Sequence, residues 1–180
     1  MKIIDNFLSQ EDHQYIKASL CGSMIPWARS TVLPSSMYNG DPNYNLQFVH
    51  RFVFVTRHTE NENQVYYDLQ KSDHFNVVEP ILAKISYSEI LRIKANMTIN
   101  RGIREMTGYH VDVSRSLYYS KGLTAVYYVN TNNGATVFET GETVDSVENR
   151  IVIFSNQIKH SSITHTDTPY RVVINLNWLP

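Results

Sequence analysis

Gly108-Tyr109-His110-Val111-Asp112 is the stretch from which the rest of the chain can be ordered. Its histidine and carboxylate are two residues apart. In an extended segment, residues i and i+2 leave the backbone on the same side, roughly 6–7 Å apart along the strand. An imidazole and a carboxylate held in that way can chelate one cation. A third ligand from another strand would complete the two-histidine, one-carboxylate set that suits non-haem Fe(II) and leaves coordination positions open. Downstream, the only histidines are His160 and His165, and both follow the apolar run Ile151-Val152-Ile153-Phe154. Either can return over the pair.

Outward from that stretch the pattern is β. Strands are predicted at Glu89–Thr98, Tyr109–Val113, Leu123–Asn130, Ala135–Glu139, Ile151–Phe154 and Arg171–Trp178. Asn132-Asn133-Gly134 and Gly141 mark turns between them. The last strand has one polar row, Arg171, Val173, Asn175 and Asn177, and one apolar row, Val172, Ile174, Leu176 and Trp178. The polar row can look inward if the strand lines a ligand cavity and helices cover its apolar side. Two helices are available upstream. One starts at the Ser9 cap, carries Leu8, Ile16 and Leu20 on one stripe and closes at Gly22; the other runs from near Asn76 to Ile85, with Pro80 in its first turn. A strand at Lys2–Ile4 precedes them, another spans Leu46–Thr56, and Thr59–Asn63 reads as a surface loop. Many short strands with hairpin signals predict a mainly β jelly roll whose two N-terminal helices buttress one sheet. The whole chain, 1–180, is expected to form one domain, with 1–87 as a support region and 88–180 as the core. Residues 31–45 form a long polar loop expected to fold over the site as a lid.

Composition narrows the function classes. The chain has 180 residues, 42% hydrophobic and 18% charged, with a formal net charge of −1. That balance gives no support to a nucleic-acid partner. No apolar run approaches the ~20 residues that a membrane-spanning helix needs, and the start of the sequence lacks a secretory apolar region. With Cys21 as the single cysteine, no internal disulfide can form, and a reducing, cytoplasmic setting is expected. Cys21 itself reads as a structural thiol at a helix end. His13, His50, His58 and His74 are scattered and are read as non-catalytic.

Taken together, residues 88–180 resemble the iron- and 2-oxoglutarate-dependent oxygenase superfamily, most closely its prolyl-hydroxylase branch. His110-Val111-Asp112 resembles the HxD pair, and Tyr127-Tyr128-Val129-Asn130 the tyrosine-bearing strand. Gly134-Ala135-Thr136-Val137-Phe138 is similar to the family's Gly-Gly-Ala-Thr-x-Phe turn, with Asn133 in place of the first glycine. The strand Ile151–Phe154 leads to a distal histidine at His160, and Arg171 stands eleven residues further on, where the family has its co-substrate-binding basic residue. The resemblance implies a double-stranded β-helix that binds Fe(II) through His110, Asp112 and His160. It implies 2-oxoglutarate as co-substrate, with Arg171 on its far carboxylate and the Tyr128 phenol beside it. Dioxygen would be consumed with release of succinate, and the product would be a hydroxylated C–H bond, peptidyl proline being the leading substrate.

Asp112 also separates chemistries, since the related halogenases lack this carboxylate. The branch's co-substrate tyrosine, several residues before HxD, has no counterpart here, and Asn96 is the substitute expected on that strand. Arg101, Arg104, Arg115 and Lys121 flank the expected mouth, either as solubilising charges or as a substrate grip. Two other readings stay open: a cupin-like metalloenzyme that does not use 2-oxoglutarate, and a non-catalytic jelly-roll module that binds a sugar or a protein. The primary substrate, a protein, peptide or small molecule, is not identified by these residues, nor is the oligomeric state.

Overall fold

Chain-end polar groups explain the first elements. In the computed structural model, which describes residues 1–33, 45–61, 64–112 and 121–180, strand β1 (Lys2–Ile4) leads into helix α1 (Gln10–Cys21). The Ser9 hydroxyl accepts from the Asp12 amide at 3.1 Å, as the cap signal predicts. Gly22 closes the helix by donating to Ala18 O at 3.0 Å, where a Cβ would stand 2.6 Å from that carbonyl. The second helix is shorter than its periodicity predicts. Phe75–Val78 is a 3₁₀ turn, and only Glu79–Leu82 (α2) is α-helical. Pro80 has no N–H to give to Asn76 O, so an α-helix cannot run through it from Asn76 and has to begin beside it.

The remaining strands are β2 (Ala28–Ser30), β3 (Gln47–Asn61), β4 (Gln64–Lys71), β5 (Glu89–Ile99), β6 (Leu123–Tyr128), β7 (Ala135–Phe138), β8 (Thr143–Asp145), β9 (Arg150–Ser155), β10 (His160–Ile163) and β11 (Tyr170–Leu179). Of the expected loop at Thr59–Asn63, residues 59–61 are strand, because β3 continues to Asn61 and pairs with β4; Glu62 and Asn63 lie outside the described residues. Among the described residues, the larger sheet has eight strands in the order β1-β9-β6-β11-β5-β3-β2, with β4 also on β3, and the smaller sheet is β10-β7-β8. Neighbouring strands are antiparallel, for instance β11 against β5 and β6, and β10 against β7. The architecture is the mainly β jelly roll that the sequence predicts.

Two apolar layers hold it. Val172, Ile174, Leu176 and Trp178 of β11 pack with Ile16 and Leu20 of α1 and with Val77 and Ile81 of the second helical segment. Each such side chain contributes about 1.5–3 kcal/mol on burial. Between the two sheets lies a second cluster, in which Val126, Val152, Phe154 and Val173 of the larger sheet meet Phe138 and Val144 of the smaller. Covering the apolar side of β11 with helices leaves its polar row facing the space between the sheets. Among the described residues, no helix is long and apolar enough to cross a membrane.

Candidate metal centre and the cavity beside it

Residues 109–112 do not form a regular strand. His110 makes an isolated bridge with His160, each donating its backbone N–H to the other's carbonyl at 3.0 Å. Val113 lies outside the described residues. The break comes from Gly108, whose φ of 117° is open to glycine, and whose Cβ would stand 2.9 Å from Leu33 Cδ1. A reciprocal pair of this kind puts both side chains on one face, and the two imidazoles lie with centroids 4.8 Å apart. Asp112 follows two residues on. One donor atom from each of His110, Asp112 and His160 lies within 4.8 Å of the others. Asp112 Oδ1 is 3.7 Å from His110 Nε2 and 3.9 Å from His160 Nε2. Donors about 2.1 Å from one ion stand roughly 3 Å apart when cis and roughly 4.2 Å when trans, so these separations suit one shared cation. His165 is not in this group, although it too is buried.

The second shell fixes which atoms face the centre. His110 Nδ1 donates to Gly108 O at 3.2 Å, and His160 Nδ1 to Ile158 O at 3.5 Å. Carbonyls only accept, so these contacts put the ring hydrogens on Nδ1 and leave the Nε2 lone pairs for a metal. Asp112 Oδ2 receives Arg92 at 2.9 Å, Asn175 at 3.3 Å and Asn177 at 3.4 Å, which leaves Oδ1 toward the imidazoles. Burial opposes ionisation of Asp112, but the Arg92 guanidinium, followed by the two imidazoles and Lys94, outweighs it and holds the carboxyl well below the usual carboxylate range. Burial keeps His160 neutral by pushing its pKa down against the pull of Asp112. Its Nε2 is buried and has no hydrogen-bond partner among the described residues. A buried lone pair left in that state is costly, and a metal ion would satisfy it.

A cavity of about 70 Å³ opens beside this group, several times the roughly 10–15 Å³ that one water needs. At its far end is Arg171, 5% exposed, with Nε donating to Ser146 Oγ at 2.8 Å. Among the described residues no carboxylate pairs with it, and burial pushes its pKa down. Its place is set by Asn130, whose side chain accepts from Val172 N at 2.8 Å and donates to Tyr170 O at 2.9 Å, bracketing the arginine. Gly134 leaves room for it, since a Cβ there would meet Arg171 Cδ at 3.0 Å and Ile163 O at 2.9 Å.

Asn96 lines the cavity and donates to Asn175 Oδ1 at 3.2 Å, while its own Oδ1 is buried without a partner among the described residues. Tyr128 stands behind the wall. Its hydroxyl donates to Thr136 Oγ1 at 2.8 Å, and Thr136 is the residue that meets the cavity. Lys94 also lines it, a residue that the sequence reading passed over. Burial first, and then Arg92, bring its pKa down to about 8. The signal was present in the alternation Arg92, Lys94, Asn96, Thr98 along β5, the same polar row seen in β11. Of the expected mouth residues, Arg101 pairs with Glu105 at 3.5 Å and Arg104 donates to Asn133 O at 3.0 Å. Arg115, and residues 34–44 of the expected lid, lie outside the described residues.

No protein-family model matches the chain, and no curated protein matches it. Solved structures do. An oxidoreductase of the 2OG-Fe(II) oxygenase family from Burkholderia pseudomallei is 14% identical, with a TM-score of 0.60 over 92% of this chain and 79% of that one. A prolyl hydroxylase from Trichoplax adhaerens, in complex with a hypoxia inducible factor peptide fragment, is 10% identical, with a TM-score of 0.61 over 98% and 82%. The epimerase SnoN, in complex with Fe3+, alpha ketoglutarate and nogalamycin RO, is 11% identical, with a TM-score of 0.61 over 98% and 77%. The chain therefore has the fold of the 2OG-Fe(II) oxygenases.

Proposed function

We propose that this chain is an Fe(II)- and 2-oxoglutarate-dependent dioxygenase that hydroxylates a C–H bond, with residues 1–180 acting as one cytoplasmic catalytic domain. The observation that carries the reading is one cavity with a metal-competent His110, Asp112 and His160 group at one end and, at the other, a buried guanidinium that no carboxylate of the described residues pairs with. His110, Asp112 and His160 would hold Fe(II), and the donor set and the orphaned His160 Nε2 both fit that ion. Arg171 would take the far carboxylate of 2-oxoglutarate in a charge-assisted pair. Asn96 has an amide on the cavity wall for the same ligand. Tyr128 would act through Thr136: by donating to Thr136 Oγ1, the phenol leaves the threonine hydroxyl hydrogen free to point at the carboxylate. When bound, iron with 2-oxoglutarate and dioxygen supplies an oxidative decarboxylation to succinate and CO₂, coupled to oxidation of a substrate C–H bond. The chain's own part is to hold the ligands in place, keep Asp112 ionised and His160 neutral, and exclude bulk water.

Peptidyl proline is the substrate first to be tried, and small molecules come next. The peptide-bound prolyl hydroxylase and the nogalamycin-bound epimerase are proteins of this fold that hold each kind of molecule. Succinate and CO₂ release from 2-oxoglutarate, compared between wild type and Arg171→Ala, tests the reading. It requires Fe(II)-dependent turnover that falls at least a hundredfold in the variant. Undiminished turnover would favour a metalloenzyme that does not use 2-oxoglutarate.

A further inference from the structure

We propose that the primary substrate carries an oxyanion, a carboxylate or phosphate group, which docks on Lys94 and Arg51 at the metal end of the cavity. The inference rests on the oxygenase reading above. Successive inward positions of β5 are Arg92, Lys94, Asn96 and Thr98. Three of the four have a task. Arg92 holds Asp112 at 2.9 Å and Asn177 at 3.0 Å. Asn96 bonds Asn175, and Thr98 lies across from Arg171 at the co-substrate end. Lys94 lines the cavity half-buried, and its ammonium makes no hydrogen bond to any described residue.

Directly across the β3–β5 ladder from Lys94 is Arg51, which is exposed and forms no ion pair among the described residues. Like charges set opposite each other on neighbouring strands destabilise a sheet, and Arg92 adds a third cation two residues along the same face. Asp112, whose charge acts on Lys94, is already covered by Arg92 and belongs to the metal group. The β3–β5 register slips between Arg51 and Val53. Bulges of this kind occur beside active sites, where they re-aim a side chain.

Charge balance points the same way. Fe(II), Arg92, Lys94, Arg171 and Arg51 together outweigh Asp112 and a doubly charged co-substrate, and among the described residues neither Lys94 nor Arg51 has a carboxylate of its own. The co-substrate does not account for Lys94. Arg171 pairs with Thr98 and Lys94 with Asn175, which sets the two cations four strand positions apart, roughly 13 Å along the backbone. That separation favours two ligands rather than one.

The test uses the full chain loaded with Mn(II) and saturated with 2-oxoglutarate. Inorganic phosphate and ¹³C-labelled acetate are titrated in separate arms, and the broadening of the ³¹P or ¹³C line by the nearby Mn(II) is followed. Saturable broadening is expected, and the arm that saturates at the lower concentration assigns the anion. Losing one charged hydrogen-bond donor should weaken the anion about tenfold or more in Lys94→Gln. Arg51→Gln should weaken it by a smaller factor, and Lys94→Arg should keep it. Mn(II) and 2-oxoglutarate affinities should change by a much smaller factor than the anion's in all three variants, since Lys94 is the weakest of the charges acting on Asp112. The inference is overturned if wild type broadens neither line, or if Lys94→Gln leaves the anion unchanged. It is also overturned if Lys94→Gln lowers 2-oxoglutarate affinity as Arg171→Ala does, which would make Lys94 a co-substrate residue. Failure of the oxygenase reading itself would show separately, as Mn(II) binding that His110→Ala leaves intact.

Discussion

Replacing Arg171 with methionine separates a ligand-binding arginine from a structural one, because the two roles predict opposite balances of stability and affinity. The side chain is 5% exposed, donates to Ser146 Oγ at 2.8 Å and has its guanidinium carbon 5.7 Å from the Tyr128 ring centre. Burying an ion without a counter-ion costs several kcal/mol even after relaxation. Against that, the bond to Ser146 returns roughly 1.5–3 kcal/mol, and the aromatic face about 1 kcal/mol more. The two sides nearly cancel, so Arg171→Met should unfold within about 1 kcal/mol of wild type when no ligand is present. Toward 2-oxoglutarate the variant loses a two-bond charge-assisted pair worth roughly 3–6 kcal/mol, a hundredfold to ten-thousandfold or more in Kd. Thermal unfolding with Mn(II), with and without 2-oxoglutarate, reads both effects. At a hundred times Kd the wild type should gain about 2.7 kcal/mol, and the variant at most about 0.4 kcal/mol. A variant that loses more than about 3 kcal/mol unliganded, yet still gains the full ligand stabilisation, would refute the assignment of Arg171 to the co-substrate.

Three further outcomes follow from the same structure. His160→Ala should weaken Mn(II) binding by calorimetry beyond the roughly 10–100-fold typical of second-shell changes, whereas His165→Ala should leave it unchanged; equal losses would contradict the choice of His160. Gly134→Ala would press a Cβ against Ile163 O and Arg171 Cδ, so it should cost about 1–3 kcal/mol in urea unfolding and also weaken 2-oxoglutarate, and a neutral effect on both would count against the close approach. Burial holds His13, His50, His160 and His165 below the ordinary imidazole value of 6.5. Between the depressed and the ordinary value the unfolded chain binds more protons than the folded one, so the stability is complete above about pH 6.5 and is lost as pH falls, by up to about 1.4 kcal/mol per pH unit for each histidine kept neutral. Urea midpoints for the metal-free protein at pH 7.5 and 5.5 check this, and a midpoint that rises on acidification would refute it.

The sequence carried the fold where one face of an element is apolar. The two rows of β11 predicted both its helix-covered side and its cavity side, and the Ser9 and Gly22 signals bounded α1. The short strands β2, β8 and β10 were not legible, because Ala-Arg-Ser, Thr-Val-Asp and His-Ser-Ser-Ile lack the apolar run or turn-bounded motif that marked the equally short β1 and β7. β10 matters most among them, since it brings His160 opposite His110 through pairing that no local pattern announces. The expected strand at Tyr109–Val113 failed at Gly108, where a positive φ breaks regular pairing while keeping the single bridge that the site uses. Lys94 was overlooked for a different reason: a cation on a strand ordinarily faces solvent, and only the neighbouring polar row of β11 shows that this one faces inward. Tyr128 was placed on the right strand, but its phenol is one layer further back, behind Thr136.

Calorimetric titration of Fe(II) under anaerobic conditions, with 2-oxoglutarate present, into wild type and Asp112→Ala tests the central claim most directly. One ion per chain should bind to wild type and raise its affinity for 2-oxoglutarate, and Asp112→Ala should lose both effects while remaining folded. Stoichiometric Fe(II) binding that survives Asp112→Ala would contradict a centre built from His110, Asp112 and His160.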